Sequence, residues 1–377
     1  MTERAGGVRL GTRLVIAAAM TALTGCGDFF VKPTSSGGGG STGGNLVYVA
    51  NSATNTIAGF TIGTATLTAV SGSPFALSYS PVAAVVTPSN SFLYVAGAGA
   101  IYVYTINSDG SLTGASTGAA VAVANVVSLD VSPDGQWLFG LDAAMTQVDE
   151  FQINKSTGAL ASVAAAAYSV TGAVAPKAIR VAPNGALVFA ALGTGGDVVF
   201  TLNTTSGALA SSAVLSLGST TTSDNGLAID STTSYLYIAR SGTNGGVAVY
   251  KIGAAGVLNQ INGSPFTAGA QPTSVVLDTT GKYVYVANRG DGTISGYSIG
   301  TSSSLSALNG SPYASGTQVT SLGVDKSGKY LLAAAFGGSP DLSMYSFDTT
   351  TPGKLNLATS TATGTGTTGA VAVALTH

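Results

Sequence analysis

Histidine is almost missing from this chain: the only one is His377, its last residue. That leaves no histidine within the body of the sequence for a general base, a Ser-His-Asp triad or a metal site. Glutamate is as scarce, with Glu3 and Glu150 alone. Glu150 adjoins Asp149, and neighbours in a strand point to opposite faces, which makes them a poor acid/base pair. A single cysteine, Cys26, excludes an intramolecular disulfide. Charged residues make up only 8% of the chain and the formal net charge is −2. Nucleic acid and anionic surfaces are therefore poor partners. No calcium loop, phosphate-cradling glycine loop or cysteine cluster is present, so neither a metal nor a cofactor is expected.

What is there begins with an export pattern. Arg4, Arg9 and Arg13 precede an apolar run, Leu14 to Ala22, far short of the roughly 20 residues that span a bilayer. Leu23-Thr24-Gly25-Cys26 follows at once. A basic start, a short apolar run and a small residue before the cut describe a secretory signal. The Leu-Thr-Gly-Cys run resembles the lipobox of bacterial lipoproteins, which implies cleavage after residue 25 and lipid attachment at Cys26. Acylation would hold the protein on a membrane without a spanning helix. Gly27 follows the cysteine, with Asp28 after it, and in that family pattern this arrangement favours the outer membrane. Residues 26–45 are rich in Gly and Ser and read as a tether. Without Arg4, Arg9, Arg13 and Glu3, the mature chain keeps 11 basic and 15 acidic residues, a mild net −4.

Residues 46–377 are a repeat. An aromatic in an apolar strand recurs as Tyr48, Tyr94, Phe139, Phe189, Tyr237 and Tyr285, with Leu332 in the seventh copy, at intervals of 45–50 residues. A preceding apolar strand appears as Val82–Val86, Val127–Val131, Ala178–Val181, Gly226–Ile229, Ser274–Leu277 and Ser321–Val324, but not before Tyr48. Ala370–Leu375 supplies the missing one from the far end of the chain. Seven copies of about 40–50 residues, the first completed by the last strand, predict an all-β, seven-bladed propeller of four-stranded blades. A solenoid would not need a terminal strand to finish its first repeat.

Positions that repeat read as structural. Asp230, Asp278 and Asp325 each end an inner strand ahead of a hairpin and read as turn caps. Gly-Ser-Pro-aromatic recurs at Gly72, Gly263 and Gly310 and reads as an outer-strand stop. Arg289-Gly290-Asp291 spells an adhesion tripeptide but falls in a hairpin turn. Positions that vary are the candidate contacts. The residue leaving the second strand is Asn51, Gly97, Asp142, Leu192, Arg240, Asn288 and Ala335 around the ring. The alternative is drift at exposed loops. Asn51, Asp142, Lys177, Arg240, Asn288 and Arg289 form the candidate ligand-binding set, for a protein, glycan or small molecule. Asp130 and Arg180 occupy one level of adjacent inner strands and are expected to form an inter-blade ion pair. Lys177, Arg180 and Arg240 could stabilise an anion. Asp142 could accept a proton, so Arg180 and Asp142 are the catalytic candidates if there is catalysis.

Tyr-Val-Ala-Asn at Tyr48 and Tyr285, the strand Ile294–Ile299, and the turns Gly158-Ala159-Leu160 and Gly207-Ala208-Leu209 together resemble the seven-bladed lactonase-like propellers. That family includes 6-phosphogluconolactonases, carboxymuconate cyclases and surface proteins with YVTN-type repeats. The resemblance covers about residues 46–375 and implies either lactone chemistry or binding at the channel mouth. Enzymatic members start one inner strand with a Pro-Arg-His-type run. The matching run here is Pro176-Lys177-Ala178-Ile179-Arg180, with Ala178 in the histidine place. The expectation is thus a lipid-anchored envelope propeller that binds rather than cleaves, with a lactonase or cyclase acting on a sugar lactone such as 6-phosphogluconolactone as the alternative.

Overall fold

A computed structural model describes residues 44–114, 120–170 and 173–377. Cys26 and the tether up to residue 43 lie outside the described residues. Seven antiparallel sheets form, each built on four strands in sequence order except the first, and three of them carry a short fifth strand paired to the third. Blade 6 is typical. Pro272–Leu277 is innermost, then Tyr283–Asn288, Thr293–Ile299 and the outer Leu305–Ala307. Its second strand is β-branched and aromatic, and it is bounded by turns at Asp278–Gly281 and Arg289–Gly292, as strand and hairpin chemistry requires. In blade 1, Ala370–Leu375 pairs antiparallel with Leu46–Asn51, from Val47 opposite Leu375 to Asn51 opposite Ala370. The predicted ring closure is therefore the one formed. No helix among the described residues is long and apolar enough to cross a membrane.

Two features differ from the sequence reading. Most inner strands start earlier than expected, because one residue bulges after the first pair. The bulged residues are Val82, Val127, Asn225, Thr273, Thr320 and Val371. A bulge breaks the two-residue alternation, which hides the strand's first pair from a pattern reading. Nor does Gly-Ser-Pro-aromatic simply end the outer strand. In blade 6, Ser311 accepts the Gly296 N–H, and Tyr313–Ala314 then pairs with Thr293 and Ile294. Ser73 and Phe75–Ala76 do the same in blade 1. The motif is a detour that lets the outer edge resume.

The core lies between blades. Seven apolar clusters form, each drawn from two neighbouring blades. The second-strand aromatics anchor them, and Tyr48, Tyr94, Phe139, Phe189, Tyr237 and Tyr285 are fully buried. Burying such a side chain stabilises by about 1.5–3 kcal/mol. The tyrosine hydroxyls also bridge seams: Tyr48, Tyr94 and Tyr285 donate to the carbonyls of Gly110, Gly158 and Gly353 in the next blade, at 2.7, 2.8 and 2.6 Å. Gly158 has φ +72, and a Cβ there would stand 2.6 Å from the Phe92 ring. Only glycine fits, which explains the recurring Gly-x-Leu turn.

Deleting residues 370–377 removes the inner strand of blade 1 and strips cover from the seams on both sides of it. The expected loss is far above the ~1 kcal/mol of an ordinary substitution. Thermal unfolding followed by circular dichroism measures it. A truncated chain that melts like the full one contradicts closure by this strand.

Candidate functional site: the central channel

Each inner strand pairs on one side only, so its other edge faces the channel with backbone groups unmatched by the ladder. Side chains of neighbouring blades take up part of that edge. Ser128, Ser274 and Ser321 accept the N–H groups of Ile179, Leu322 and Val373 in the next blade. The bulged Asn225, Thr273 and Thr320 donate to the carbonyls of Pro272, Val319 and Ala370, again in the next blade. Polar bulge residues are thus clasps between blades. On blades 1 to 3 the same place is held by Val371, Val82 and Val127.

Two cavities lie along this channel. The upper one, about 150 Å³, opens where the inner strands begin and is lined by all seven of them. Lys177 and Arg180 are its charged side chains, and no carboxylate lines it. Both cations are exposed to the channel. Lys177 makes no side-chain hydrogen bond among the described residues, and Arg180 donates one, to the Ile179 carbonyl at 2.7 Å. The lower chamber, about 410 Å³, lies towards the opposite face, with Arg180 lining it as well. Asp130 is also in its wall.

The expected Asp130–Arg180 ion pair does not form. The carboxylate of Asp130 accepts the Val131 N–H at 3.0 Å and, across the seam, the Val181 N–H at 2.8 Å. It bridges the blades through backbone, which an inner-strand edge supplies at closer range than a long side chain. Burial pushes its carboxyl above the ordinary carboxylate range, against the pull of Arg180 and the two N–H groups.

The ring at the ends of the second strands is buried, not exposed. Asp142 is fully buried and accepts four backbone N–H groups, from Ala124, Asn125, Ala144 and Met145, at 2.8–3.0 Å. With both oxygens spent on two loops, it has no capacity to act as a base or ligand contact. Asn51 is buried between Thr56 and Thr363, and Asn288 among Gly269, Thr293 and Ser295. Arg240 is held by Asp224 through two hydrogen bonds, 2.6 and 2.8 Å, and donates to the Tyr250 hydroxyl. Arg289 reaches Gln318 at 3.1 Å on the outer surface. The candidate set therefore separates: Lys177 and Arg180 meet in the channel, and the others hold loops and seams.

The sequence reading missed the partner of Arg240 and a second acid beside it. Asp197, at the start of the third strand of blade 4, is fully buried, and neither of its oxygens has an N–H or cationic partner. It faces Asp224 across the seam, with Arg240 the nearest positive charge. Desolvation, then the Asp224 charge, push its carboxyl well above the ordinary range. The folded state therefore holds this proton more tightly than the unfolded chain. Its stabilising contribution is complete below the unfolded pKa near ~3.9 and is lost as pH rises through the folded value. Asp197→Asn, neutral at every pH, should match the parent near pH 4 and melt higher at pH 8. Asp224→Asn should instead destabilise by about 3–5 kcal/mol, because it leaves Arg240 buried without its carboxylate. Melting curves across pH check both, and equal pH slopes for parent and Asp197→Asn count against a protonated Asp197.

Comparison with known proteins agrees with this architecture. A protein from Bacteroides uniformis provisionally named 6-phosphogluconolactonase superposes with a TM-score of 0.74 at 17% identity, over 88% of this chain and 99% of that one. The periplasmic gluconolactonase of Pseudomonas aeruginosa gives 0.71 at 17%, over 88% and 99%. Hydrazine synthase of Kuenenia stuttgartiensis gives 0.62 at 17%, over 81% and 93%. At such identities the likeness is one of fold, and fold alone does not fix chemistry. No curated protein matches the sequence. The family described as lactonase, 7-bladed beta-propeller, matches residues 96–225 and 193–310, more than half of the chain. With seven closed blades and these matches, the chain belongs to the seven-bladed lactonase β-propeller family.

Proposed function

We propose that this is a non-catalytic binding propeller, held at the bacterial cell envelope by a lipid on Cys26, which captures small anions at the upper end of its channel. The observation that carries the reading is that Arg180, on the inner strand Ala178–Val181, and Lys177, just ahead of it, line one cavity whose wall holds no carboxylate. Lys177 has its three donors unspent, and Arg180 has most of its five. At about 150 Å³ the cavity is smaller than sites that enclose a whole ligand, about 300–1,000 Å³. It suits an inorganic anion or the carboxylate or phosphate head of a larger molecule. Hydrolysis needs a base as well, and Asp142 is spent on four N–H groups. Lactone hydrolysis is the second reading, because fold neighbours are named gluconolactonases.

One set of measurements separates the two. The full chain carrying Cys26→Ser is titrated with inorganic phosphate and gluconate, and assayed on 6-phosphogluconolactone. Binding is expected to weaken about tenfold in Lys177→Gln, as for a charge-assisted contact, and to fall as salt rises. No turnover above background is expected. Turnover that disappears in Arg180→Ala would establish the enzyme instead, and absence of anion binding would remove the capture reading. For the anchor, mass spectrometry of the mature protein should find acylated Cys26. An unmodified mature N-terminus at another residue counts against it.

A further inference from the structure

The lower chamber is a separate cavity on the far side of Arg180 from the mouth, and it differs from the upper one in both size and wall. At about 410 Å³ it falls within the range of sites that enclose small molecules, about 300–1,000 Å³. Val85, Val324 and Leu375 supply an apolar wall. Its acids are already engaged. Asp130 holds the Val131 and Val181 N–H groups, and Asp325 holds those of Ser327, Lys329 and Tyr330. Lys326 donates to the Gly44 carbonyl, and the His377 ring lies against the Val86 carbonyl. The guanidinium of Arg180, with one donor used, brings the chamber most of its uncommitted hydrogen-bonding capacity.

We propose that the lower chamber is a second binding site, for an organic carboxylate with a compact hydrocarbon body. The carboxylate takes the spare N–H groups of Arg180, a geometry that guanidinium supports through two parallel bonds. The body lies against Val85, Val324 and Leu375, where apolar area leaves water. A polyhydroxy acid is rejected there, because hydroxyls set against valine and leucine give up water without a replacement partner. The two cavities thus differ in the kind of anion they hold, and Arg180 is common to both.

Calorimetry on the full chain carrying Cys26→Ser tests this with cyclohexanecarboxylate, and with gluconate and inorganic phosphate for comparison. Cyclohexanecarboxylate should bind about tenfold more tightly than gluconate, a discrimination typical of apolar pockets. Arg180→Gln should weaken it about tenfold or more, with Arg180→Lys retaining part of the affinity because the charge remains. Val324→Asn should weaken it about threefold or more and leave phosphate binding within about twofold, while Lys177→Gln should weaken phosphate more than cyclohexanecarboxylate. Circular dichroism melts confirm that each variant is folded. Indifference of cyclohexanecarboxylate binding to Val324→Asn overturns the proposal, as does an equal loss of gluconate binding in that variant. Binding that vanishes in Lys177→Gln also overturns it, by placing the carboxylate in the upper cavity. That last result leaves the anion-capture reading standing, whereas loss of phosphate binding at Lys177 bears on that reading alone.

Discussion

Every blade has an inner edge that no fifth strand covers, and the channel is the shared consequence of seven such edges. Backbone N–H and C=O groups there must find partners or water. The ring answers with side chains from the adjacent blade: serines onto N–H groups, and Asn225, Thr273 and Thr320 onto the first carbonyl of the next inner strand. These bonds work only if each inner strand has a neighbour at a fixed height. Closure of blade 1 by Ala370–Leu375 supplies the last such neighbour, since Thr320 and Ser321 reach onto Ala370 and Val373. Without that strand, two clasps and two apolar seams lose their far side together.

The same constraint explains what could be read from the sequence. Seven second strands and seven inner strands were visible because blade faces are buried on both sides and stay apolar. Asp278 and Asp325 were legible as caps because the turn chemistry is local: each accepts N–H groups four and five residues ahead. Asp142, Arg240, Asn51 and Asn288 were misjudged for a physical reason. They occupy equivalent places but solve different problems there, two loops for Asp142, an acidic neighbour for Arg240, and hydroxyls for the asparagines. Variation at a buried place imitates variation at a binding surface when only the sequence is in view. Asp130 and Arg180 were placed at the right height, yet height says nothing about whether a carboxylate turns to a guanidinium or to an N–H.

That Lys177 and Arg180 border the channel follows from the repeat, which sets Arg180 on an inner strand and Lys177 just ahead of it. What could not be found is their isolation, which depends on where the acids went. The chain carries more acid than base, 16 against 14, and that balance alone would argue against anions. Its acids, however, are largely spent inside blades and seams: Asp142, Asp197, Asp224, Asp278, Asp325 and Asp341 are all buried.

A buried carboxylate held by N–H groups keeps its charge, whereas a protonated one projects almost no field. Lys177 lines a cavity whose wall holds no carboxylate, whereas Arg180 also borders the lower chamber, which it shares with Asp130 and Asp325. Charge density, not net charge, decides what approaches a cleft, since low-dielectric walls focus the field of whatever charge lines them. In a protein with so few ions, Lys177 and Arg180 are the charged side chains that line the upper cavity. The fold's demand for internal acceptors thus shapes the channel mouth: Asp142, Asp197 and Asp224 are buried in loops and seams, and none of them lines the upper cavity.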